Sequence, residues 1–143
     1  MSKFKNFMKA NQIKREDVTH APTKWLRDEN GDPVKFTLRP LTTEVHEEIR
    51  ESCTVEVPIP GKYNMYRTKL NSGKYLTKML VRSIVYPDLN NKELQDSYGV
   101  MSPEDLIKQM IVDPGEYQDF ASFVQEFNGF KLDFEETVKE AKN

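Results

Sequence analysis

The side chains able to do chemistry in this sequence are few and scattered. Two pairs of neighbouring acids, Glu104-Asp105 and Glu135-Glu136, come nearest to a general acid/base couple. Such a couple needs two carboxylates in environments different enough to split their pKa values. Here Asp105 stands three residues after Ser102 and Glu136 three after Asp133, which is the spacing of a helix cap and accounts for both pairs. His20 and His46 each lack a second ligand at metal spacing, whereas a structural zinc site takes four. The one cysteine, Cys53, follows Val45 and Ile49 at four-residue intervals, so it reads as a small hydrophobe closing an apolar stripe. No nucleophile is set beside a base, and no glycine-rich loop is shaped to hold a phosphate. The expectation is a protein without catalytic residues, metal or cofactor.

What the sequence does specify is where helices begin and end. An Asn, Ser or Asp followed three residues later by an acid marks starts at Asn90 with Glu93, Ser102 with Asp105, and Asp113 with Glu116. At such a start the side-chain oxygen accepts a hydrogen bond from a backbone N–H of the first turn, and the acid opposes the positive end of the helix dipole. Pro103 and Pro114 suit the first helical position, and Gly99 and Gly129 suit the left-handed residue that closes a helix. Between these signals apolar residues keep helical spacing, with Leu106, Ile107, Met110 and Ile111 in one helix and Tyr117, Phe120, Ala121 and Val124 in the next.

The remaining elements follow in chain order. Residues 1 to 22 are polar and read as a flexible N-terminal arm, in which Phe4, Phe7 and Met8 share one side of a short helix opposite Lys3, Lys5 and Lys9. Residues 23 to 143 read as a single globular domain. From Lys24 to Arg39 the Asn30-Gly31 pair between apolar runs predicts a β-hairpin, with Trp25 as a core anchor. A helical region over residues 42 to 142 follows. Thr42 opens a helix through about Cys53, and residues 54 to 70 are proline-punctuated and non-helical, with Val55 and Val57 in a short strand. Tyr63, Met65 and Tyr66 there are candidates for an exposed contact patch, the alternative being packing within the loop. Asn71 or Ser72 starts the most apolar helix, expected to be central and to run to Pro87, and Asp133 with Glu136 opens the last. The fold class is α+β, predominantly helical: an N-terminal β-hairpin packed on a bundle of about five short helices.

Composition narrows the setting. The 143 residues suffice for one core, and no apolar run approaches the roughly 20 residues of a membrane span. The N-terminal residues carry no secretory apolar segment, so the cytoplasm is the expected compartment. Residues 1 to 87 hold 16 Lys and Arg against 10 Asp and Glu, while residues 88 to 143 hold 5 against 13. Two halves of opposite sign attract within one fold or present two faces to partners, head-to-tail self-association among them. There is no dense basic patch with interleaved aromatics, so nucleic acid is not an expected partner, nor is a membrane.

Several stretches resemble a known family over nearly the whole chain. They are the N-terminal Phe7, Lys9 and Asn11; the segment DENGDPVKFTLRPLTTEVHEEIRESC from Asp28; and KYLTKMLVRSIVYPDLNNKELQDSYGV from Lys74. Asp113-Pro114-Gly115-Glu116-Tyr117 and the Asn128-Gly129-Phe130 turn continue the likeness. The sequence resembles the XkdN-like tail assembly chaperones of long-tailed bacteriophages and of prophages of Gram-positive bacteria. The resemblance implies a non-enzymatic protein of the host cytoplasm that coats the tape measure protein while tail tube subunits polymerise, and that is absent from the mature virion. It also implies a minor form, lengthened by a ribosomal frameshift, whose added part recruits tail tube protein. The competing expectation is a structural tail or neck component retained in the virion. A chaperone needs exchangeable apolar surface. The candidate contact residues are Phe4, Phe7 and Met8 in the arm, and Tyr117, Phe120, Phe123 and Phe127 on one helix.

Overall fold

The computed structural model describes residues 2–132, and the last helix, predicted to open at Asp133, lies outside them. Three short strands and five helices carry the core. Strand β1 (Val18–His20) pairs antiparallel with β2 (Phe36–Leu38), and β2 pairs on its other side with β5 (Ile84–Tyr86). A separate hairpin joins β3 (Thr54–Pro58) to β4 (Tyr66–Leu70). The helices are α1 (Thr43–Ser52), α2 (Ser72–Ser83), α3 (Lys92–Ser97), α4 (Pro103–Met110) and α5 (Pro114–Phe127).

Local chemistry explains most helix boundaries. Thr42, Asn71 and Ser102 each accept a hydrogen bond from the backbone N–H three residues on, at Val45, Lys74 and Asp105. Pro103 and Pro114 occupy first-turn positions, and Gly99 and Gly129 sit at φ +67° and +88°, a region open to glycine at little cost. One start shifts by a residue: α3 is capped by Asn91, whose Oδ1 accepts from Leu94 N, while the Asn90 N–H is taken by Asp88 Oδ1.

Helix α2 is central, packing against α1, α4 and α5. It ends at Ser83, short of Pro87. The β-branched Ile84 and Val85 ahead of Tyr86-Pro87 leave the helix and become β5, since a residue before proline is pushed toward extended backbone. Phe36 and Leu38 on one face of β2 meet Met79 and Leu80 of α2, Leu106 and Ile107 of α4, and Phe120 and Val124 of α5 in a single core. Cys53 is buried, in keeping with its place at the end of the α1 stripe.

The expected hairpin over residues 24 to 39 is present only as a small loop. Arg27 bridges Pro33, Gly31 turns at φ +82°, and the Asp28 carboxylate accepts from Asn30 N and Asp32 N. The strand partner of Phe36–Leu38 is instead Val18–His20, from the stretch read as arm. Residues 54 to 70 contain the strand anticipated at Val55 and Val57 and a second one, β4.

Candidate functional site

The arm places its apolar residues outward. Lys5–Phe7 and Lys9–Asn11 form two 3-10 turns, and the extended backbone of Met8 (ψ 153°) between them prevents one continuous helix. Ser2 Oγ accepts from Phe4 N, and Asn11 Nδ2 donates to the Asn6 carbonyl, so the turns are stabilised from within the arm. Phe4 and Met8 are exposed and Phe7 is 85% exposed; none of the three belongs to the core formed by the described residues.

Past these turns the chain is clasped to the body. Arg15 Nη2 donates to the Leu41 carbonyl at 2.8 Å, and Leu41 N donates to Asn128 Oδ1 at 2.7 Å. Asn128, at the C-terminal end of α5, donates in turn to the Val124 carbonyl. The clasp encloses a groove of about 1080 Å³ between the arm, the start of α1 and the turn after α5. Its apolar wall is Ile13, Leu41, Met79 and Phe130. Its charged wall holds four cations, Lys9, Lys14, Arg15 and Arg39, and a single acid, Asp17. Among the described residues the one ion pair is Arg82 with Glu48 at 3.9 Å, so these four cations have no carboxylate partner there. Arg39 Nε is satisfied by the Arg82 carbonyl. At one end of the groove His46 Nε2 shares a hydrogen bond with the Tyr75 hydroxyl and its ring lies 5.2 Å from Phe130. Burial raises the Tyr75 phenol above its ordinary value of 10. A concave, half-apolar site with a cationic rim suits a peptide segment carrying apolar anchors and acids.

The aromatic residues proposed on α5 occupy a different environment. Phe120 is 1% exposed and meets Phe36 edge-on at 6.4 Å. The His20 ring stacks on Phe123 at 4.0 Å, and Phe123 stacks on Phe127 at 6.4 Å. The Tyr117 hydroxyl shares a 2.7 Å hydrogen bond with Thr77 Oγ1. This face joins α5 to β1, β2 and α2, and its residues do not meet Phe4, Phe7 and Met8 on one surface.

The first turn of α5 also departs from its expected role. Asp113 does not cap the helix with its side chain; its Oδ2 accepts from Trp25 Nε1 at 2.7 Å. Glu116 accepts from the Thr23 hydroxyl at 2.8 Å and from Lys24 N at 2.9 Å. Trp25 is therefore a surface residue, 59% exposed, with Lys24 Nζ 5.0 Å from its ring centre, and not a core anchor. Its indole N–H found a carboxylate at the edge of the fold, which holds the ring at the surface. The groove itself was not anticipated. The excess of positive charge in the N-terminal half was the available signal, but its lining comes from four separated stretches, residues 9–17, 39–46, 79 and 128–130.

Comparison with known proteins decides the family. The model of the phage XkdN-like tail assembly chaperone proteins matches residues 4–142. The chain belongs to that family. Among XkdN-like relatives, the phage-like element PBSX protein XkdN of Bacillus subtilis strain 168 is 29% identical over 137 residues, 96% of this chain and 91% of its own. YqbN of the same organism is equally similar, with the same identity and coverage. The crystal structure of YqbN superposes with a TM-score of 0.74 at 25% identity, covering 92% of this chain and 99% of that one. The match to the XkdN-like chaperones begins at Phe4, so it takes in the arm as well as the core.

Proposed function

We propose that this tail assembly chaperone binds the tape measure protein during tail tube assembly, through the apolar arm and the groove it borders, and performs no catalysis. The observation that carries the reading is the outward display of Phe4, Phe7 and Met8 on an arm clasped beside a groove whose cations have no carboxylate partner among the described residues. Single exposed apolar residues are ordinary, but three within five positions, outside the core formed by the described residues, form a contact surface that can be taken up and released. In this reading the protein works in the host cytoplasm, leaves before the virion is complete, and reaches tail tube protein through a frameshifted longer form.

The test is co-expression with the tape measure protein of the same phage. The wild-type chain should raise the soluble fraction of the tape measure protein and co-purify with it. Phe4→Ala, Phe7→Ala and Met8→Ala combined should lose co-purification while melting at an unchanged temperature. A tape measure protein that stays insoluble with and without the wild-type chain overturns the reading. Stoichiometric recovery of the chain from purified particles, by mass spectrometry, would favour a retained structural component.

A further inference from the structure

Among the described residues no other element packs on one face of the β3–β4 hairpin. Its register pairs Val55 with Lys69 and Val57 with Arg67, and the Ile59 N–H continues the ladder to the Met65 carbonyl at 2.9 Å. Residues directly opposite one another share a face. One face is therefore Val55, Val57, Ile59 and Met65 with Arg67 and Lys69 beside them, an apolar row with a cationic border. Among the described residues none of these side chains joins the core; Val55 and Met65 are half exposed, while Val57 and Ile59 between them are partly buried. Among the described residues the hydrogen bonds that tie the hairpin to the body lie at its root, where Asn71 N donates to the Cys53 carbonyl and Thr54 Oγ1 to the Arg50 carbonyl.

A two-stranded hairpin standing free is marginally stable, and a sheet face of this kind is normally covered by another element. The chain supplies none among the described residues. Edge pairing is discouraged, because Pro58 has no N–H to give and two cations border β4. The face is what remains. Its ladder spans roughly 20 Å at ~3.4 Å per residue, the length of about 13 residues of helix.

We propose that this face is a docking surface for an amphipathic helix of a partner protein, whose apolar stripe lies on Val55, Val57, Ile59 and Met65 and whose acidic flank faces Arg67 and Lys69. The charge selects the partner. Neither cation has a carboxylate partner among the described residues, so an acidic flank gains two contacts where a basic flank is repelled. None of these residues belongs to the arm or the groove, so the surface is separate from the one described above.

The experiment uses the full chain and two fluorescein-labelled peptides of about 14 residues. Both carry the same Leu and Ile stripe; one has glutamates along one flank and the other lysines. Fluorescence anisotropy should show the glutamate peptide binding about tenfold more tightly. Arg67→Glu with Lys69→Glu should reverse the order, and Val55→Thr with Val57→Thr should weaken the glutamate peptide about tenfold while keeping strand propensity and charge. Because no core residue lies in the hairpin, both double variants should melt with the wild type. Equal binding of the two peptides, or a preference unchanged in the charge-reversed variant, overturns the proposal. So does self-association in sedimentation that the hairpin variants abolish, which would assign the face to a second copy of the chain.

Discussion

The aromatic residues divide by what lies behind them. Phe120→Ala removes a ring at the centre of the core and should cost about 3–5 kcal/mol of stability, read as a shift of the urea midpoint. Phe7→Ala should stay within about 0.5 kcal/mol, because its ring is in water already. The buried Ser83 hydroxyl has no hydrogen-bond partner among the described residues, although the backbone carbonyl of the same residue accepts from Arg39 N. Ser83→Ala should therefore raise the melting temperature slightly, since it removes an unsatisfied group at the end of a helix. His20 is the residue with a pH signature. Burial lowers its pKa below 6.5 in the folded chain, so the unfolded chain takes up a proton first as pH falls. Stability from this group is complete above pH 6.5 and declines below it, toward the lowered folded value. His20→Phe keeps a ring on Phe123 without titrating. Urea midpoints at neutral and mildly acidic pH should lie closer together in that variant than in the wild type.

Elements were legible where their signals are local. Thr42, Asn71 and Ser102 cap the helices read from them because the acceptor and the N–H it serves lie within one turn. Ser102→Ala should accordingly cost about 1 kcal/mol. Ile84-Val85-Tyr86 misled for a reason that is also physical: the residues keep the 3.6 period of α2, which masks their local preference for extended backbone until pairing with Thr37 and Leu38 fixes it. Val18–His20 was hidden likewise, being three residues long and defined by partners 16 to 20 positions away. Asp113 and Glu116 have cap spacing, yet a carboxylate that turns to its own helix looks the same in sequence as one that reaches Thr23. Glu116→Ala should show the difference. Losing two charge-assisted bonds, one from a buried hydroxyl, should cost about 2–3 kcal/mol and admit trypsin at Lys24 and Arg27. The same division holds at the candidate site, where the apolar side chains of Phe4, Phe7 and Met8 are neighbours in sequence while the groove required Arg15, Leu41 and Asn128 to be brought together.

For the molecule as a whole, charge is separated but hardly paired. Against the positive N-terminal and negative C-terminal halves stands one ion pair among the described residues, partly exposed and worth about 0–1 kcal/mol. Added salt should then leave the melting temperature nearly unchanged while weakening capture of an acidic partner by the cationic groove, a contrast that calorimetry and pull-down on one preparation would show. Closure of the fold, by comparison, falls to a few long-range bonds. Glu116 secures Thr23 across 93 positions, and Asn128 secures Leu41 across 87. On a ribosome making the chain from its first residue, Phe36 and Leu38 emerge long before the helices that cover them. Until α5 has cleared the exit tunnel, the nascent protein must itself carry bare greasy surface through a crowded cell.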